Sequence, residues 1–227
     1  MRLFVAALVA GLALAAATAP VGGATNECNN IQQCIHVPGP WVVVPAHGTA
    51  QYLLSCPKGG SVVGGLDAQV TSRDVHVSFD GRLGAPVSPG QTTTRYALFR
   101  AVSTSAKVQV FQPLLGCIPT QGGGGRSTVS ARVSAPGLPL EYRSRIVVIG
   151  PGDVKFARVA CLPSEQLVGA WHAVAFRTKK PPDLAGAKLV SARHSVVGRR
   201  VVVTASSTDA LSPDAHAIVQ GGAECAS

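Results

Sequence analysis

A ten-residue stretch of this chain has an echo. Cys56 to Gly65 reads C-P-K-G-G-S-V-V-G-G, and Cys161 to Ala170, which starts 161 − 56 = 105 residues later, reads C-L-P-S-E-Q-L-V-G-A. Such an echo is more restrictive than any composition, because a repeated unit must fold twice and must place its cysteines equivalently each time. Aligned without gaps on the two cysteines, Trp41-Val42-Val43-Val44 meets Ile146-Val147-Val148-Ile149. The match then runs through Val62/Leu167, Val63/Val168, Gly64/Gly169 and Ala68/Ala173. Toward the far ends the offset is 225 − 117 = 108, and Val108-Gln109-Val110-Phe111-Gln112 meets His216-Ala217-Ile218-Val219-Gln220 ahead of Cys117 and Cys225. The growth in offset places an insertion in a loop, where length is tolerated.

Within each copy the apolar residues alternate or form short β-branched runs, as in Val75-His76-Val77-Ser78-Phe79, Lys107 to Phe111 and Val201 to Val203. These are strand patterns. Turn clusters such as Asp80-Gly81-Arg82-Leu83-Gly84, Ser88-Pro89-Gly90 and Lys180-Pro181-Pro182-Asp183 separate them, and no segment carries a sustained helical period. The expected fold is all-β: two tandem disulfide-closed β-sandwich or jelly-roll-like domains, over 41–118 and 140–227. A Gly/Pro-rich linker over 119–139, containing Gly122 to Gly125, joins them. An immunoglobulin-like topology is one option, suggested by the order Cys161, Trp171, Cys225. Leu66 in place of a second tryptophan, and the lack of a tyrosine two residues before either final cysteine, count against it. Trp41 and Trp171 are expected to anchor the two cores.

Residues 1–24 read as a secretory signal, with Arg2 as the basic region, an apolar run from Leu3 to Leu14 and small residues up to Ala24. A retained anchor is the other reading of this segment, since its uncharged stretch approaches bilayer length. A lead-in over 25–40 follows. All six cysteines (Cys28, Cys34, Cys56, Cys117, Cys161, Cys225) lie beyond the signal. An even number in an exported chain reads as three bridges, for which 15 pairings exist. The echo selects Cys56 with Cys117 and Cys161 with Cys225, leaving Cys28 and Cys34 to close a small loop. The expected location is therefore outside the cell or in its envelope.

The run C-P-K-G-G-S-V-V-G-G, with V-V-V-T-A-S-S and A-H-A-I-V-Q-G-G-A-E-C-A in the second copy, resembles the poorly characterised secreted β domains of high-GC Gram-positive bacteria. Those carry C-P-x-G, then a Gly-Gly pair, and end in a strand closed by cysteine. The resemblance covers the ends of both copies; the second departs from it at Leu162-Pro163 and Ala170. It implies export and a β fold, and no activity.

Neither G-x-S-x-G nor G-D-S-G-G occurs, and no C-x-x-C offers a zinc site. The pairing above leaves no thiol for nucleophilic work. Most of the 11 acidic residues fall in or beside turns, and the six histidines are scattered. No catalytic residue, metal ligand or cofactor is therefore assigned. Trp171 and His172 are the candidate ligand contact, together with the basic cluster Arg177, Lys179 and Lys180. Charge is uneven: Thr25 to Gly125 holds six basic and four acidic residues, Arg126 to Ser227 holds 13 and seven. An exported basic surface points to an anionic wall polymer, phospholipid headgroups or an extracellular protein, and away from nucleic acid.

The expected function is structural or binding and non-enzymatic. The alternatives are an envelope hydrolase with a site between the copies, drawing on His172, Asp214 and His216, and a secreted inhibitor presenting the Asp80 to Gly90 turn region.

Overall fold

The computed structural model describes residues 35–57, 61–80, 95–119 and 140–226. The signal segment, the Cys28 and Cys34 loop, most of the Asp80 to Gly90 stretch and the linker glycines lie outside these residues. What is described is nearly all strand. The first half holds β1 (Ile35–Pro38), β2 (Trp41–Val44), β3 (Thr49–Ser55), β4 (Ser61–Val70), β5 (Val75–Asp80), β6 (Tyr96–Ser103) and β7 (Gln109–Pro119). The second holds β8 (Leu140–Ile149), β9 (Val154–Ala160), β10 (Gln166–Phe176), β11 (Val190–Val197), β12 (Arg200–Ser207) and β13 (Ala217–Ala226). One helical turn, α1 (Leu184–Ala187), stands where the sequence pattern showed only a turn; the Asp183 carboxylate accepts from Ala185 N–H and caps it.

Pairing is antiparallel throughout, and its order is the same in both halves. In the first, β7 lies between β2 and β4, while β6 lies between β3 and β5. In the second, β13 lies between β8 and β10, while β12 lies between β9 and β11. Small features agree as well. Cys56 N–H donates to the Arg95 carbonyl and Cys161 N–H to that of Arg199. The β2–β3 turn has His47 at φ 47°, and the β8–β9 turn has Gly152 at φ 64°. β4 and β10 are each irregular one step after the residue facing the last cysteine, Val63 opposite Cys117 and Leu167 opposite Cys225.

That last agreement corrects the ungapped alignment. Gly65, rather than Gly64, is the counterpart of Gly169, because the connection from Cys56 into β4 is one residue longer than that from Cys161 into β10. Counterparts defined by pairing are Val42/Val147, Asp67/Trp171, Ala68/His172 and, in the small sheets, Leu53/Arg158 and Phe79/His194.

The halves share one sheet. Trp41 and Val42 of β2 pair with Phe176 and Ala175 of β10, giving the order β4-β7-β2-β10-β13-β8, with β1 beside β7 in line with β2. The three-stranded sheets β3-β6-β5 and β11-β12-β9 complete two sandwiches. The first core gathers Val42, Tyr52, Phe99, Phe111 and Leu115; the second gathers Ile149, Phe176, Val190, Val201 and Val219. Burial of apolar area of this kind is the main stabilising term. Cys56–Cys117 and Cys161–Cys225 bridge the two sheets of each sandwich, as the echo predicts. On the chain-entropy account each contributes roughly 4 kcal/mol.

The tryptophans depart from expectation. Trp171 leaves the second core and packs with Leu53 and Leu98 of the first half and with Tyr142, while Trp41 lies on the β2 edge that meets β10. Both mark the joint. No helix among the described residues is long and apolar enough to cross a membrane.

Candidate functional site

Alternation along β10 sends Trp171 and His172 to opposite faces of the large sheet. Trp171 is 4 % exposed, with its ring 6.3 Å from that of Tyr142 and its indole nitrogen buried without a partner. It stands over Gly222, where a Cβ would overlap the indole. His172 points the other way, toward the small sheet. There its Nδ1 lies 2.7 Å from Nδ1 of His194 on β11, and the two rings are 5.0 Å apart. One Nδ1 donates and the other accepts, so the pair holds a shared proton when neutral.

Burial pushes the His172 pKa below its ordinary value, and the neighbouring His194 pushes in the same direction. A backbone hydrogen bond to Ala192 opposes both. Two adjacent imidazoles are also a partial ligand set for a transition-metal ion. Among the described residues the only group of three or more ligand-type side chains is Cys161, Glu165 and Cys225. Its two sulfurs form the disulfide, and the Glu165 carboxylate accepts from Arg143 at 2.6 Å and from Leu162 N–H. Those bonds hold the Glu165 pKa below the usual carboxylate range.

Sequence grouped five residues that the fold distributes over three settings. Trp171 is in the joint and His172 is in the second sandwich. Arg177, Lys179 and Lys180 are exposed in the segment after β10. Arg177 N–H donates to the His216 carbonyl, and its charge acts on Tyr52 of the first half, whose pKa burial nonetheless raises to about 12. His172 faces Gly221, 221 − 216 = 5 residues along β13 from His216. Asp214 lies in a short 3-10 turn, Pro213–Ala215, capped by Ser212.

Two features escaped the sequence reading. His194 lies 194 − 172 = 22 residues from its partner on a different sheet, so no local spacing reveals the pair. The solvent face of β9-β12-β11 is the other. Register places Arg158 beside Val202 and Ser195, Phe156 beside Thr204 and Arg193, and Arg200 beside Val197. Arg158, Arg193 and Arg200 are exposed there, along with Phe156 at 53 %. Period-two reading of Val154-Lys155-Phe156-Ala157-Arg158 would have exposed this face. No protein-family model matches the chain, and neither a curated protein nor a solved structure matches it.

Proposed function

We propose that the chain is a secreted or envelope-associated, non-enzymatic protein with a structural role, built as tandem copies of one β unit of the kind its cysteine motif resembles. The joint between the halves carries this reading. An enzyme with its site between the copies needs an open cleft there; instead Leu53, Leu98, Tyr142 and Trp171 close on one another. Polar groups close it further. Gln220 accepts from Leu53 N–H at 2.7 Å and donates to the Leu53 carbonyl at 2.9 Å, and Arg100 pairs with Glu224 at 2.8 Å. A joint satisfied in this way favours rigidity over access. The two disulfides are in keeping with an oxidising compartment. Fractionation of the native host tests the reading: the mature chain is expected in the medium or envelope, starting near Thr25 with all thiols oxidised. A reduced, cytoplasmic pool would remove it.

A binding role toward anionic polymer has its own support. In the second half Asp153, Glu165 and Glu224 are held in ion pairs with Lys155, Arg143 and Arg100. Arg177, Lys179 and Lys180 are exposed, and the second half carries 13 basic residues against seven acidic ones. Co-sedimentation with anionic wall polymer, and separately with anionic vesicles, is expected to weaken as salt rises. Replacing all three by alanine should abolish it; unchanged binding would exclude this surface.

A further inference from the structure

The joint between the halves joins unlike surfaces, and each surface has a counterpart at an end of the large sheet that no described strand covers. On one side of the joint is the edge formed by β2 and β3; its counterpart is the edge formed by β8 and β9. On the other side is β10, whose counterpart is β4 with the two residues after it, because Ala175 and Phe176, which pair with β2, correspond to Thr71 and Ser72. Among the described residues β8 pairs only with β13, and β4 only with β7.

The side chains at the free β8/β9 edge are those expected of an interface. Trp41 is 2 % exposed in the joint, whereas Ile146, which takes its place on β8, is 37 % exposed. Val43 packs against the second core, whereas its counterpart Val148 is 58 % exposed. Phe156 and Val154 extend the apolar strip along β9. Clusters of this kind on an unpaired strand edge mark an association site.

Charge adds direction. In the joint, Leu53 packs with Trp171. Their counterparts are Arg158 at one end of the molecule and Asp67 at the other, both exposed. Stacking a second chain on the first with the geometry of the joint would bring these opposite charges together where the joint has an apolar contact. The free β8 edge is also guarded. Lys155, in the place of Ala50, pairs with Asp153 at 2.7 Å and donates to the Val148 carbonyl at 2.8 Å.

We propose that copies of this chain associate head to tail, the β8/β9 edge of one seating on β4 and Asp67 of the next, so that the joint within the chain is repeated between chains. The inference rests on the structural role proposed above and names its partner, a second copy. Because the two surfaces differ, the contact does not close on itself as a twofold dimer, and assembly runs past the dimer, to a ring or an open filament. Lys155 must release Val148 for the strand to dock.

Sedimentation of the mature, oxidised chain over a range of concentrations tests this. Mass is expected to rise past the dimer with concentration, and Lys155→Ala should shift the rise to at least several-fold lower concentration. Val148→Asp blocks one end and Asp67→Arg the other. Each variant alone is expected to stay monomeric, and an equimolar mixture should give a one-to-one dimer and nothing larger. Arg158→Asp combined with Asp67→Arg should restore growth. Circular dichroism and intact disulfides check that each variant folds. A single monomeric mass for both the natural chain and Lys155→Ala overturns the proposal, as does a dimer that survives Asp67→Arg. Sedimentation does not depend on where the protein resides, so failure of the compartment experiment and failure of this one are separate results.

Discussion

β7 and β13 occupy the same place in their halves and live in different surroundings. Every residue of β13 except Glu224 is buried, because the second core covers one face and the first half's small sheet covers the other. β7 is fully covered on one face only, and Gln112 and Leu114 remain half-buried on the other. The sequences record this. Where β7 has Pro113 and Leu114, β13 has Gly221 and Gly222; a Cβ on Gly221 would lie 2.6 Å from Val203, and one on Gly222 would overlap Trp171. Gly221 thus makes room for the second half's own small sheet, and Gly222 for the indole that fills the joint.

Loss of the disulfides should have the largest effect on this comparison. Replacing Cys161 and Cys225 by alanine, or Cys56 and Cys117, is expected to cost roughly 4 kcal/mol in either half. Because the large sheet is continuous, urea unfolding should stay a single transition in both variants; two separated transitions would break the picture of a fused pair. Trp171→Ala is expected to cost about 3 kcal/mol through the cavity it leaves in the joint. Its counterpart Asp67→Ala should change monomer stability by less than about 0.5 kcal/mol. Equal losses at the two positions would show that burial in the joint is not what sets them apart.

Gln112 and Gln220 sharpen the contrast, since they are the same residue in equivalent places. Gln220 serves both backbone groups of Leu53 in a buried site, whereas Gln112 donates once to the Gly39 carbonyl. Substitution by leucine should cost about 2 kcal/mol at Gln220 and about 1 kcal/mol at Gln112, read from denaturant midpoints. The β2–β3 turn offers a gain. His47→Gly places at φ 47° the residue that Gly152 supplies at φ 64°, and should stabilise by up to about 1 kcal/mol.

The histidine pair gives the smallest effect and one confined to the second half, whose counterparts are Ala68 and Phe79. The His172 pKa is lowered on folding, so the folded state favours the neutral ring. Stability is then full above the ordinary histidine pKa and declines as pH falls through it toward the folded value. His172→Ala should flatten that decline in a plot of midpoint against pH, and an unchanged slope would assign it to other groups.

Much of this fold was legible in the chain. Cysteine spacing announced the pairing of Cys56 with Cys117 and Cys161 with Cys225, and alternation announced strands such as β5, where Val75 is buried and His76 exposed. The register of β4 against β10 was not legible, because one extra residue after Cys56 slips an ungapped alignment without altering its apolar pattern. The β2–β10 pairing was hidden for another reason: Trp41-Val42 and Ala175-Phe176 are buried apolar pairs whatever strand lies beside them. The ligand candidates are neighbours in sequence that the fold separates, since adjacent residues on a strand face opposite ways.

The cross-sheet bridges also set how the molecule would respond to tension. A pull applied to the chain beyond Cys56 and Cys225 passes through sulfur rather than through the loops, so the stretches between bridged cysteines, which are 61 and 64 positions apart, are withheld from the load. At about 3.5 Å per extended residue, roughly 430 Å of slack stays stored even if every backbone hydrogen bond gives way. Extended by force, the oxidised chain would thus behave as a short tether with two locked knots.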